Sequence, residues 1–195
     1  MNESVLIEIG STGRNAGKTT MATQLIKQYS AHYPIFGLKI ITISGNRGKC
    51  QRGVKGCGLC TSISSGYELV KEKQTSGNKD TTLMLNAGCQ EVYLLKSFKN
   101  CLAEAFNYFV KQIPPNSLIV CESNSLRKVI KPDAFIMMIN SEKTVKPSAK
   151  AVFDLADYYL REATTLKELD PVIKRLDLVR LNKGERKNER FNATR

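Results

Sequence analysis

Residues 10–20 read Gly-Ser-Thr-Gly-Arg-Asn-Ala-Gly-Lys-Thr-Thr and follow directly on the apolar run Val5-Leu6-Ile7-Glu8-Ile9. A strand, a glycine-bearing turn and Gly-Lys-Thr at the start of a helix is the arrangement that cradles phosphates. Backbone N–H groups curl toward the anion, the lysine reaches the β and γ phosphates, and the hydroxyl holds Mg²⁺. Gly17, Lys18 and Thr19 supply the end of that motif, and the positive N-terminus of the following helix adds to anion binding. The first glycine of the usual G-x-x-x-x-G-K-[ST] spacing would fall at position 12, which is Thr12, flanked by Gly10 and Gly13. The motif is thus a deviant one. The candidate nucleotide-binding residues are Gly13, Arg14, Asn15, Ala16, Gly17, Lys18, Thr19 and Thr20, and the other reading is a tight strand-to-helix turn.

A phosphate-handling enzyme also needs a carboxylate at the end of a neighbouring strand to hold Mg²⁺. Leu118-Ile119-Val120-Cys121-Glu122 is apolar and ends in an acid, so Glu122 is paired with Lys18 as the catalytic candidate and with Thr19 as the Mg²⁺ candidate. Asp80, before Thr81 and Thr82, is a second carboxylate for the nucleotide site, although Asp in that position is also an ordinary helix start.

Three of the six cysteines, Cys50, Cys57 and Cys60, fall in a stretch from 45 to 66 with six glycines, four basic residues and no acid. C-x₆-C-x₂-C in such a loop can bring three thiolates round Zn²⁺ or an iron–sulfur cluster, with Arg47, Lys49, Arg52 and Lys55 offsetting their charge. Three ligands leave a tetrahedral site open, and a redox-active thiol set or no metal are the other readings. Cys89, Cys101 and Cys121 lie in or beside regular elements and read as small buried residues.

The elements that must position these groups alternate. Runs at 5–9, 35–43, 91–96, 117–121 and 134–139 read as strands, and segments 17–33, 80–87, 100–113, 149–155 and 166–176 have helical periodicity. Continuous apolar runs such as Phe135-Ile136-Met137-Met138-Ile139 suit strands buried on both faces, so the expectation is a mostly parallel sheet flanked by helices, a three-layer α/β/α P-loop NTPase fold. Residues 1–181 form one domain with the 45–66 insertion, and 182–195 a basic, solvated tail. The only histidine, His32, falls at the end of the first helix and reads as a packing or surface residue.

A net charge of +12 favours anionic partners. The basic runs lack interleaved aromatics, which argues against nucleic acid. No apolar stretch approaches the roughly 20 residues that span a bilayer, and the N-terminus lacks the basic stretch of a signal peptide, so the expectation is a cytoplasmic protein without a membrane partner.

Gly-Lys-Thr-Thr after the first strand, Gly37-Leu38-Lys39-Ile40 in the second, Lys79-Asp80-Thr81 leading to Asn86-Ala87-Gly88-Cys89, and the acidic strand end at Glu122 occur here in the order that resembles the molybdopterin-guanine dinucleotide biosynthesis protein B family. The resemblance spans roughly residues 3–140. It implies a GTP-binding, weakly hydrolysing accessory protein of molybdenum cofactor maturation, a homodimer that works with a cofactor-assembly enzyme. It also implies contacts from Lys18 and Thr19 to phosphate and Mg²⁺, with Asp80 near the nucleotide. Guanine over adenine rests on the resemblance alone, because Asn140-Ser141-Glu142-Lys143 after the last strand is not a base-recognition motif. The alternative is a metal- or cluster-linked ATPase or small-molecule kinase that uses Glu122 or Asp80 to position an acceptor.

Overall fold

The computed structural model describes residues 4–44, 63, 65–140, 145–161 and 174. Its centre is strand β1 (Val5–Ser11), every residue of which is buried. The sequence requires this, because Val5, Ile7 and Ile9 project to one face and Leu6 to the other, and only a central strand covered on both sides hides both sets. Strands β5 (Leu118–Glu122) and β6 (Ala134–Met138) are buried throughout and lie on either side of β1, both parallel to it.

Beyond β5 come β2 (Ile35–Ile43), β4 (Glu91–Phe98) and the edge strand β3 (Tyr67–Lys71), and beyond β6 comes β7 (Tyr158–Leu160). The sheet order is β3-β4-β2-β5-β1-β6-β7, parallel except for β3 against β4. The chain leaves β1 outward to β2 and β4, then returns to insert β5 between β1 and β2. Right-handed crossovers put the outward helices on one face and the returning helix on the other. Accordingly α1 (Lys18–Tyr29) and α2 (Asp80–Asn86) pack with Ile7, Ile9, Ile35 and Val120, whereas α3 (Leu102–Val110) packs with Leu6, Phe36, Leu38 and Cys121. The expected α/β architecture, with helices on both faces of a mostly parallel sheet, is what the structure has.

The helices follow their apolar spacing. Met21, Ala22, Leu25, Ile26 and Tyr29 form the buried stripe of α1, and Leu102, Ala105, Phe106 and Phe109 that of α3. Several boundaries differ from expectation. The first helix stops at Tyr29 rather than residue 33, because Pro34 disfavours helical backbone at Tyr33 and the chain closes with a turn in which the Tyr33 N–H donates to Tyr29 O. The segment expected at 149–155 is a single turn, α4 (Pro147–Lys150), then a 3-10 turn at Phe153–Leu155. The start of the 100–113 segment is likewise a 3-10 turn, Lys99–Cys101. Strands β3 and β7 were not expected. The first is a half-exposed edge strand held by Lys96–Glu68 and Lys71–Glu91 pairs, and the second is three residues long, so neither carries a continuous apolar run. The helix expected at 166–176 and the basic tail lie outside the described residues. Among the described residues no helix is long and apolar enough to cross a membrane.

Candidate functional site

The register of the sheet brings the sequence-selected residues to one place. Glu122, the last residue of β5, stands opposite Ile9 of β1 and opposite Lys39 of β2. Side chains of directly paired residues share a face, here the face that α1 and α2 cover. Lys39 Nζ donates to Glu122 Oε2 at 2.5 Å and to Asp80 Oδ2 at 2.5 Å, and Thr19 Oγ1 donates to Asp80 Oδ1 at 3.0 Å. Thr19 at the start of α1, Asp80 at the start of α2, Lys39 and Glu122 are thereby one hydrogen-bonded set. Asp80 begins a helix and its side chain faces the loop.

The 10–20 loop is held from both sides. Asn124, two residues past β5, reads the Ser11 peptide as a strand would: Ser11 N–H donates to its Oδ1 at 2.7 Å, and its Nδ2 donates to Ser11 O at 2.8 Å. On the β6 side the Thr12 N–H donates to Met138 O, the Thr12 hydroxyl donates to Asn140 Oδ1 at 2.9 Å, and the Asn140 N–H donates to that hydroxyl at 2.9 Å. This accounts for the residue at position 12. The left-handed backbone falls at Asn15 (φ 53°) and Gly17 (φ 78°), so position 12 has no need of glycine, and its hydroxyl ties the loop to β6. At Gly13 a Cβ would lie 1.8 Å from Asn140 Nδ2, so a larger residue there displaces the Asn140 amide from Thr12.

Lys18 Nζ donates to Ser11 Oγ at 2.8 Å, folded back over its own loop. Burial first, and then the neighbouring Lys39 ammonium, hold it below the ordinary lysine range. Burial acts on Lys39 in the same direction, but the carboxylates of Glu122 and Asp80 outweigh it and hold Lys39 above that range. Asp80 is held below the usual carboxylate range, since the bonds from Lys39 and Thr19 together outweigh its partial burial. Glu122 has a fully buried side chain, and its Oε1 has no hydrogen-bond partner among the described residues.

Lys18, Lys39 and Glu122 open into a cavity of about 680 Å³ that runs from Ser11 across the end of β5 to Ser44 and Lys99. Among the described residues six cationic side chains line it, Arg14, Lys18, Lys39, Lys99, Lys128 and Lys146, against one acid, Glu122. A cavity of this sign concentrates anions. It lies at the C-terminal ends of the parallel strands beside the point where the strand order reverses, the position at which α/β sheets bind ligands. Thr19, Asp80 and Glu122 are hard oxygen donors of the kind Mg²⁺ takes, and the orphaned Oε1 of Glu122 fits a hydrated cation.

Of the sequence-selected residues, Lys18, Thr19, Asp80 and Glu122 converge here. Gly13, Arg14, Asn15, Ala16, Gly17 and Thr20 form the surrounding loop, Arg14 and Asn15 exposed and Ala16 buried. Cys50, Cys57 and Cys60 lie outside the described residues. Cys89 and Cys121 are buried, as expected, and burial pushes the Cys89 thiol up to about 12 and Cys121 well above the ordinary thiol range; Cys101 is only half-buried. Lys39, Asn124, Asn140, Lys99 and Lys128 had been given no role. Only Lys39 carries a sequence signal, being a lone charge inside the strand Ile-Phe-Gly-Leu-Lys-Ile-Ile-Thr-Ile, where a cation requires a partner.

No protein-family model, curated protein or solved structure matches the chain.

Proposed function

We propose that the protein binds a nucleoside triphosphate with Mg²⁺ on the 10–20 loop and handles its terminal phosphate. The observation that carries this reading is the single hydrogen-bonded set of Thr19, Asp80, Lys39 and Glu122, with Lys18 beside it, where the end of β5 meets the middle of β2 and the starts of two helices. In this reading Lys18 leaves Ser11 for the phosphates, and Gly17 with the first turn of α1 presents N–H groups to them. Thr19, Asp80 and Glu122 hold Mg²⁺ directly or through water, and the ion, when bound, offsets charge on the β and γ phosphates. Lys39 keeps the two carboxylates together. The resemblance to the molybdopterin-guanine dinucleotide biosynthesis protein B family extends the proposal to a slow GTPase, a dimeric accessory protein of molybdenum cofactor assembly.

Titration of the purified protein with ATP and with GTP, each with and without Mg²⁺, tests the proposal. Lys18→Ala is expected to lower triphosphate affinity at least tenfold in a folded protein, and unchanged affinity would overturn it. A second reading, a small-molecule kinase, is favoured by one observation: the cationic cavity extends well past the loop.

A further inference from the structure

The cations of the cavity form two groups. Lys18, Lys39, Arg14 and Lys146, whose N–H donates to Thr12 O, surround the loop and suffice for a Mg²⁺–triphosphate. Lys99 opens the 3-10 turn after β4, which is separated from β1 by β5 and β2. With strands ~4.8 Å apart, β4 stands about 14 Å from β1, beyond the phosphates of a nucleotide seated on the loop. Lys128 ends the 3-10 turn Leu126–Lys128, whose Leu126 is buried with Phe106 and Phe109 of α3. Both lysines therefore border the cavity from the α3 side, opposite the helix that Lys18 begins. Both are exposed, and among the described residues neither has an ion pair. Two cations with no ion pair among the described residues, bordering a cavity of about 680 Å³ that already holds a cationic loop, add to its positive potential and favour an anion beside them.

We infer that the outer half of the cavity, bordered by Lys99 and Lys128, binds a small polyanionic acid beside the nucleotide, and that an ionised oxygen of this acid accepts the terminal phosphoryl group. This rests on the nucleotide reading above and names the acceptor class for it. The acceptor oxygen forms a bond to the γ-phosphorus while the bond from that phosphorus to the β–γ bridging oxygen breaks, its electron pair leaving on the nucleoside diphosphate. The attacking oxygen is already an anion, so no proton has to be removed. That agrees with Glu122, the one acid of the lining among the described residues, being committed to Lys39 through Oε2. A carboxylate acceptor yields an acyl phosphate, and a phosphate acceptor yields a phosphoanhydride.

The test uses the full chain saturated with Mg²⁺ and a non-hydrolysable triphosphate analogue, at fixed ionic strength. Calorimetric titration follows with tricarballylate (carboxylates only), pyrophosphate (phosphates only) and phosphonoacetate (one of each), with glycerol as the uncharged control. At least one anion is expected to bind one to one, glycerol not at all, and the Lys99→Ala/Lys128→Ala variant to weaken the anion at least tenfold while changing analogue affinity less than threefold. With the hydrolysable nucleotide and the anion that binds, hydroxylamine trapping detects an acyl phosphate and ³¹P NMR a phosphoanhydride. Analogue binding without any anion binding, anion binding indifferent to the double substitution, or anion binding with no phosphorylated product in either assay would overturn the inference and leave nucleotide binding standing. Failure of the analogue itself to bind would instead refute the reading beneath it.

Discussion

Lys39→Met removes the cation that joins Asp80 to Glu122, and its cost can be worked out arm by arm. The Asp80 side chain is 43% exposed, so its half of the interaction is screened and contributes at most about 1 kcal/mol. The Glu122 side chain is 0% exposed, and leaving a buried carboxylate unpaired costs about 3–5 kcal/mol. The variant is therefore expected to lose about 4 kcal/mol, and its Tm to fall by roughly 8–16 °C for a domain of this size. Adding Glu122→Gln removes the buried charge and should restore most of the loss, giving a coupling energy of at least about 2 kcal/mol between the two positions. The chain has no tryptophan, so urea unfolding is best followed by far-UV circular dichroism. A loss below about 1 kcal/mol, or additive single substitutions, would each refute the argument that Lys39 neutralises Glu122.

Gly13→Ala places a methyl group on Asn140 and breaks the Thr12–Asn140 bonds, so a stability loss of about 1–3 kcal/mol and weaker triphosphate binding are expected; a variant with wild-type melting and affinity would show that the loop is not pegged there. Glu8, buried in β1 with one oxygen accepting from the Arg127 N–H, is raised well above the ordinary carboxylate range by burial. The folded state then binds more protons than the unfolded one, so this group's contribution is full below the unfolded value and is lost as pH rises toward the folded one, with a slope of at most about 1.4 kcal/mol per pH unit. Glu8→Gln should flatten that decline between pH 5 and 8, and parallel profiles for the two proteins would count against a protonated Glu8. With Arg14 the only arginine bordering the cavity among the described residues, hydrolysis by the chain alone is expected at or below about 10⁻² s⁻¹; Glu122→Gln should reduce Mg²⁺-dependent turnover more than nucleotide affinity, and equal loss of both would point to a structural role for the acid.

Sequence alone determined the layers. Runs buried on both faces, such as Leu118 to Cys121 and Phe135 to Met138, leave a covered parallel sheet as the only way to hide both sets of side chains, and the spacing in α1 and α3 supplies the cover. It also determined the loop, because Gly-Lys-Thr after an apolar strand is a local pattern whose backbone demand is met by Gly17 itself. Edge strands and single turns were not legible, since β3 and β7 take their place from partners already formed rather than from an apolar run of their own. Nor was the wiring of the site. That Lys39, Asp80 and Glu122 meet follows from the insertion of β5 between β1 and β2, which sets residues 39 and 122 opposite each other across more than eighty positions of chain. Asn124, Asn140, Lys99 and Lys128 are ordinary polar residues in sequence. Only the order of the strands, which decides whose C-terminal ends stand side by side, turns the asparagines into clamps on the loop and the lysines into the far wall of the cavity.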